Sequence, residues 1–222
     1  MQAGIAVARK GAITSVVLNS PDKLNAMSRS MWRELKAAFE SIQADPSVRC
    51  VLVRGADAHF CAGGDISEYP SFRFDEVELR RFHEDEVWGA LSAMLACDVP
   101  VIAQIEGACM GAGVEIASAC DLRLATDTAK FGAPIARLGF PMAQREAALV
   151  AGAVGESTAR AMLLAAEVFD AAHMAAQGFL TRVLAEAECD AACQLLAQRI
   201  AGLAPQAARR ATSGQGNAYV DP

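Results

Sequence analysis

The run Val99-Pro-Val-Ile-Ala-Gln-Ile-Glu-Gly-Ala-Cys-Met-Gly-Ala-Gly-Val-Glu-Ile-Ala-Ser118 carries the reading of the fold. Residues 99–105 are almost continuously apolar, which predicts a buried strand. Gly107, Gly111 and Gly113 then punctuate the chain, and an apolar helix follows. The same order recurs upstream, where a strand at 49–54 stops at Gly55 and leads into the small-residue turn His59-Phe-Cys-Ala-Gly-Gly-Asp-Ile66. Two strand, turn and helix units of this kind predict an α/β fold with mainly parallel pairing.

Working outward, residues 5–18 hold two β-rich runs about a Lys10-Gly11 turn and predict a hairpin. Ser28 is a good N-cap. Met31, Leu35, Ala38, Phe39 and Ile42 fall at helical spacing, so an amphipathic helix is expected over 29–43, ending before Asp45-Pro46. Residues 76–95 predict a long, charged and mobile helical region, and 121–125 and 130–132 predict short strands. Past residue 143 the pattern is helical and alanine-rich, with a polar tail at 211–222 that is expected to fray.

The chain has 222 residues, 53% of them hydrophobic and 21% charged, values that argue against wholesale disorder. Its net charge of −6 leaves no basic footprint for nucleic acid or an anionic membrane. Seven cysteines form an odd set without a C-x-x-C pair, so zinc ribbons and redox dithiols are unsupported. Scattered through apolar segments, they read as buried, reduced thiols and point to a cytoplasmic protein. Arg9 and Lys10 interrupt any secretory core near the start, and the longest apolar stretch, 147–154, is too short to cross a bilayer.

Neither glycine cluster fits a nucleotide fingerprint: Ala62-Gly-Gly-Asp65 lacks the Lys-Ser/Thr of a P-loop, and 107–113 is spaced G-x3-G-x-G. Serine-hydrolase and zincin patterns are missing too, and His59, His83 and His173 read as surface or packing residues. What remains is a pair of turns, 62–64 and 111–113, whose small residues let a ligand approach the main chain and leave N–H groups unpaired. Brought together, they would clamp an oxygen that gains negative charge; each alone would serve equally well for tight packing. Beyond the second turn lies Glu115 among Val114, Ile116 and Ala117. An acid in that setting is expected to be desolvated and tuned toward proton transfer, or else to complement the helix dipole.

These segments resemble the crotonase, or enoyl-CoA hydratase/isomerase, superfamily. The resemblance is carried by Asn19-Ser-Pro-Asp-Lys-Leu-Asn-Ala-Met27, Phe60-Cys-Ala-Gly-Gly-Asp-Ile66, Ile105-Glu-Gly-Ala-Cys-Met-Gly-Ala-Gly-Val-Glu115, Ala119-Cys-Asp121 and Phe131-Gly-Ala-Pro-Ile-Ala-Arg-Leu-Gly139. It implies an α/β spiral of repeated β-β-α units over 1–168 and a helical C-terminal region over 169–222. It also implies acyl-CoA thioester substrates, no metal or redox cofactor, and a homotrimer or a dimer of trimers. By resemblance, the backbone N–H groups of Ala62 and Ala112 form an oxyanion hole and Glu115 is the catalytic acid or base. Lys23, Leu24 and Ala26 would hold the adenine end of CoA, with Ala62, Gly63, Gly64, Asp65 and Ile66 lining its path. Asn25 and Asp65 serve equally well as turn caps.

Two departures stand out. The second glutamate of hydratases falls at Ile135, which can neither give up a proton nor share a water with Glu115. Arg137, Gln144, Arg145 and Glu146 stand nearby as replacements, although each reads more naturally as a surface ion-pairing residue. After Arg210 a short tail stands where the family has further helices. The leading expectation is an enoyl-CoA hydratase-like lyase. An isomerase or another reaction of the family comes second, and a non-catalytic acyl-CoA-binding protein third.

Overall fold

A computed structural model describes residues 3–204. In chain order its elements are β1 (Gly4–Lys10), β2 (Ile13–Asn19), α1 (Arg29–Ala44), β3 (Cys50–Gly55), α2 (Glu76–Arg81), α3 (Trp88–Leu95), β4 (Val101–Ile105) and β5 (Ala108–Met110). There follow α4 (Ala112–Ser118), β6 (Leu122–Thr126), β7 (Lys130–Gly132), α5 (Ile135–Leu138), α6 (Gln144–Val154), α7 (Glu156–Leu164), β8 (Val168–Asp170), α8 (Ala171–Ala176), β9 (Arg182–Leu184) and α9 (Glu186–Gly202). Six strands form one sheet in the order β1-β2-β3-β4-β6-β9, antiparallel only at the β1–β2 hairpin. A three-stranded sheet, β5-β7-β8, stands beside it.

The period-2 geometry of β3 and β4 sorts their side chains between two cores. Cys50, Leu52 and Ile102 face α9, meeting Cys189, Cys193 and Ala197. Val51, Val53, Val101, Ala103 and Ile105 face the larger core, where α1 presents Met31, Trp32, Leu35 and Phe39. Ser28 caps α1 as expected, its Oγ accepting from the Met31 N–H at 3.2 Å.

Residues 76–95 form one helical run whose middle, Phe82–Val87, is wound as a π-helix. The charges there do not all face water. Glu86 is buried and accepts both Nε and Nη2 of Arg29 at 2.8 Å and Nη1 of Arg33 at 2.9 Å, which anchors the segment expected to be mobile onto α1. The region after 168 adds two short strands to the expected helices, β8 closing the small sheet and β9 the edge of the large one. Both are only three residues long, too short for periodicity to separate from a helical pattern. The tail expected at 211–222 lies outside the described residues.

All seven cysteines are buried free thiols. Among the described residues no helix is long and apolar enough to cross a membrane.

Candidate active site

The two small-residue turns are stitched together by their backbones. Cys61 N donates to Ala108 O at 2.9 Å and Met110 N to Cys61 O at 2.8 Å, which forms a parallel bridge between Cys61 and Cys109. Glycine is required where they touch: a Cβ on Gly113 would stand 2.7 Å from Cys61 O. Gly111, at φ +48°, makes the left-handed bend that starts α4.

Against these turns opens a cavity of about 790 Å³, counted out to its mouth. One wall is Ala62, Gly63 and Gly64; the next is Met110, Gly111, Ala112 and Glu115. Aromatic rings close the far side, with Tyr69 stacked on Phe140 at 4.2 Å and His83 stacked on the same ring at 5.5 Å. Ile66 and Ile135 also line it, as does Trp32, whose buried Nε1 has no hydrogen-bond partner.

Not every expected binding residue faces this space. Lys23, Leu24, Ala26 and Asp65 are not among the lining residues. Lys23 Nζ bonds Asp65 at 2.5 Å and Ser67 Oγ at 3.0 Å, and Asp65 Oδ1 accepts from Ser67 N at 3.1 Å, so Asp65 serves as a turn cap. Asn25 is wholly structural: it accepts from Ser20 N and donates to the carbonyls of Ala56 and His59, holding two loops at once.

The two backbone N–H groups expected to act together are engaged differently. Ala112 N–H, at the first position of α4, has no acceptor among the described residues. Ala62 N–H is already spent, donating to Leu24 O at 3.0 Å. Leu24 sits at φ +50°, and this left-handed turn brings its carbonyl over the 62–64 loop. Sequence spacing gave no hint of that contact, because it depends on how residues 20–27 fold back on the loop.

Glu115 is only 6% exposed and its carboxyl has no hydrogen-bond partner among the described residues. Burial, and then the negative charge of Glu146, push its pKa well above the usual carboxylate range. The thiol of Cys61 behind the turn is pushed up to about 12 by burial, so it stays protonated and is no nucleophile.

Glu146 corrects the surface reading. It is 2% exposed, lines the cavity, and accepts Ala143 N–H at Oε2 (3.0 Å) while Oε1 lies 3.1 Å from His83 Nδ1. Its three companions do stay outside: Arg137, Gln144 and Arg145 are exposed, and Arg145 lies over the Trp88 ring. His83, read as a surface or packing residue, lines the cavity as well. The π-helix is the physical reason: it shifts the facing of residues 82–87 relative to an α-helical register, which the charge pattern of the segment does not signal. His59 keeps a packing role, its Nδ1 accepting Ala108 N–H at 3.0 Å, and His173 stacks on Phe169 at 4.2 Å. Among the described residues no group of three His, Cys, Asp or Glu side chains could hold a metal ion.

The comparison with known proteins agrees with this architecture. A family model described as enoyl-CoA hydratase/isomerase matches residues 8–219. The probable enoyl-CoA hydratase echA14 of Mycobacterium tuberculosis is 34% identical over 210 residues, covering 92% of this chain and 80% of its own length. A peroxisomal Delta(3,5)-Delta(2,4)-dienoyl-CoA isomerase of Arabidopsis thaliana is 29% identical over 214 residues, covering 90% of this chain and 77% of its own. Among solved structures, an enoyl-CoA hydratase/carnithine racemase from Magnetospirillum magneticum superposes with a TM-score of 0.93 at 37% identity, over 98% of this chain and 81% of that one. The fold, the stitched turns and the match over nearly the whole chain place this protein in the enoyl-CoA hydratase/isomerase family, on the crotonase fold.

Proposed function

We propose that the protein adds water to 2-enoyl-CoA thioesters, with Glu115 moving a proton and the backbone stabilising charge on the thioester oxygen. The observation that carries this reading is Glu115 itself, a buried and unpaired carboxyl opening onto a cavity walled by two backbone turns and apolar rings. Addition at the β-carbon drives an electron pair onto the thioester oxygen, and fixed N–H donors aimed there lower the barrier without reorganisation. Ala112 N–H is one such donor. Ala62 N–H is the other, shared with or released from Leu24 O when the thioester binds; one N–H serving two acceptors is common. Half-exposed Lys23, at the edge of the 62–66 loop, suits a phosphate of CoA.

A second reading, double-bond isomerisation, is supported by the single buried acid Glu115, which can take a proton from one carbon and return it to another beside a backbone oxyanion donor; Ile135 removes the second-position acid that two-glutamate hydratases and one kind of isomerase both use. Incubation with crotonyl-CoA separates the two. Hydration removes the conjugated absorbance at a rate far above a Glu115→Ala control, whereas an isomerase leaves crotonyl-CoA alone and creates conjugation from a 3-enoyl-CoA. Acyl-CoA affinity with no turnover of either would leave only a binding protein.

The family resemblance further supports a homotrimer or dimer of trimers, to which exposed Leu164, Leu195 and Leu203 would lend apolar contacts. Light scattering of the purified chain tests this, with a monomer counting against it. The reduced thiols support a cytoplasmic setting.

A further inference from the structure

We propose that Glu146, on a different element from the residue it replaces, is the second carboxyl group of the reaction, facing Glu115 across the cavity, and that His83 is its positioning residue. This rests on the acyl-CoA reading above and deepens it.

Three observations converge. Glu146 and Glu115 line the same cavity and reach it from α6 and α4, which pack on each other. Glu146 is held by two contacts, Ala143 N–H on Oε2 and the His83 ring on Oε1, whereas Glu115 has none. The π-helical turn that carries His83 delivers the ring to this spot, with Phe140 stacked against it. A capping role alone does not explain the arrangement. Glu146 occupies the third position of α6 and does satisfy the Ala143 N–H. A cap needs no second contact from His83, and a buried acid opposite another buried acid is a costly way to make one.

The contacts also assign the roles. Glu146, with a contact at each carboxyl oxygen, is the group held in place to accept a proton; Glu115, desolvated and unpartnered, holds one. In hydration, Glu146 takes a proton from water as the water oxygen bonds to the β-carbon, and the C=C electron pair moves onto the thioester oxygen. As the C=O re-forms, the enolate takes a proton at the α-carbon from Glu115. The net change is one water added; the proton on Glu146 returns to Glu115 and restores the pair. In isomerisation the same pair removes a proton from one carbon and returns one to another.

The test is Glu146→Gln, whose amide oxygen still accepts from Ala143 N–H, assayed with crotonyl-CoA and a 3-enoyl-CoA beside Glu115→Gln. A fall in kcat on the order of 10²–10⁴ with KM within about twofold is expected for both variants. A second variant guards against a structural explanation: Glu146→Ala combined with Ala143→Ser gives the start of α6 a different cap, its new hydroxyl accepting from N–H groups of the first turn. It is expected to recover the thermal midpoint but not kcat. His83→Phe, which keeps the stack on Phe140, is expected to lower kcat by about ten- to a hundredfold without moving KM. If Glu115→Gln is inactive but Glu146→Gln or the recapped variant turns over like wild type, the proposal is overturned and the function reading stands. If the wild type turns over neither substrate, both fall.

Discussion

The cavity has two halves built on different principles. The 62–64 and 111–113 turns work through their main chain: small residues, backbone hydrogen bonds between Cys61, Ala108 and Met110, and a glycine at 113 where any side chain would press on Cys61 O. The opposite half, 66–87 and 134–146, works through side chains: Tyr69, Phe140, His83, Glu146 and Ile135. A backbone site accepts few sequences and so announces itself as a motif. A side-chain site can move a carboxyl from one helix to another while preserving its place in space, and a motif then points at an empty position.

The largest expected effect probes the junction of the halves. Glu115→Gln is expected to cut kcat by on the order of 10²–10⁴ while stabilising the protein at alkaline pH. The sign follows from the raised folded-state pKa: the neutral form favours folding below the usual carboxylate range, and that contribution is lost as pH rises through the folded pKa. Thermal midpoints of variant and wild type from pH 5 to 9 should therefore diverge upward with pH. Parallel curves would mean that Glu115 is not desolvated.

On the backbone side, Ala112→Pro deletes one N–H at the first position of α4, where proline is tolerated. A rate loss on the order of 10²–10³ with circular dichroism unchanged is expected, and an unaltered rate would remove this donor from the oxyanion hole. Gly113→Ala drives a Cβ against Cys61 O and should cost about 1–3 kcal/mol through strain, read as a drop in thermal midpoint of about 2–12 °C. No drop would show that the stitched turns have slack.

The smallest effect sharpens the side-chain half. Because Ile135 lines the same cavity, Ile135→Glu in a Glu146→Gln background is expected to restore turnover by about tenfold or more. In the wild-type background the same change should alter kcat by less than about threefold, since two carboxyls already serve. Strong activation of the wild type by Ile135→Glu would mean that Glu146 contributes nothing.

The sequence by itself determined an α/β chain of strands broken by small-residue turns, the capped helix expected at 29–43, the two glycine turns at 62–64 and 111–113, and Glu115 as a carboxyl set among apolar neighbours beyond the second. All of these rest on local rules: hydrophobic period, capping chemistry, and the steric privilege of glycine. Only the tertiary structure decided the rest. That residues 62–64 meet 111–113, that Ala62 N–H is held by Leu24 O, that Asn25 ties two loops, and that Glu146 leaves the surface to meet His83 are facts about residues between 31 and 63 positions apart, or about a turn folding over a loop. Such contacts leave no periodic trace, because a buried carboxyl on an otherwise amphipathic helix reads in one dimension like any solvated one; its neighbours in space give it a role.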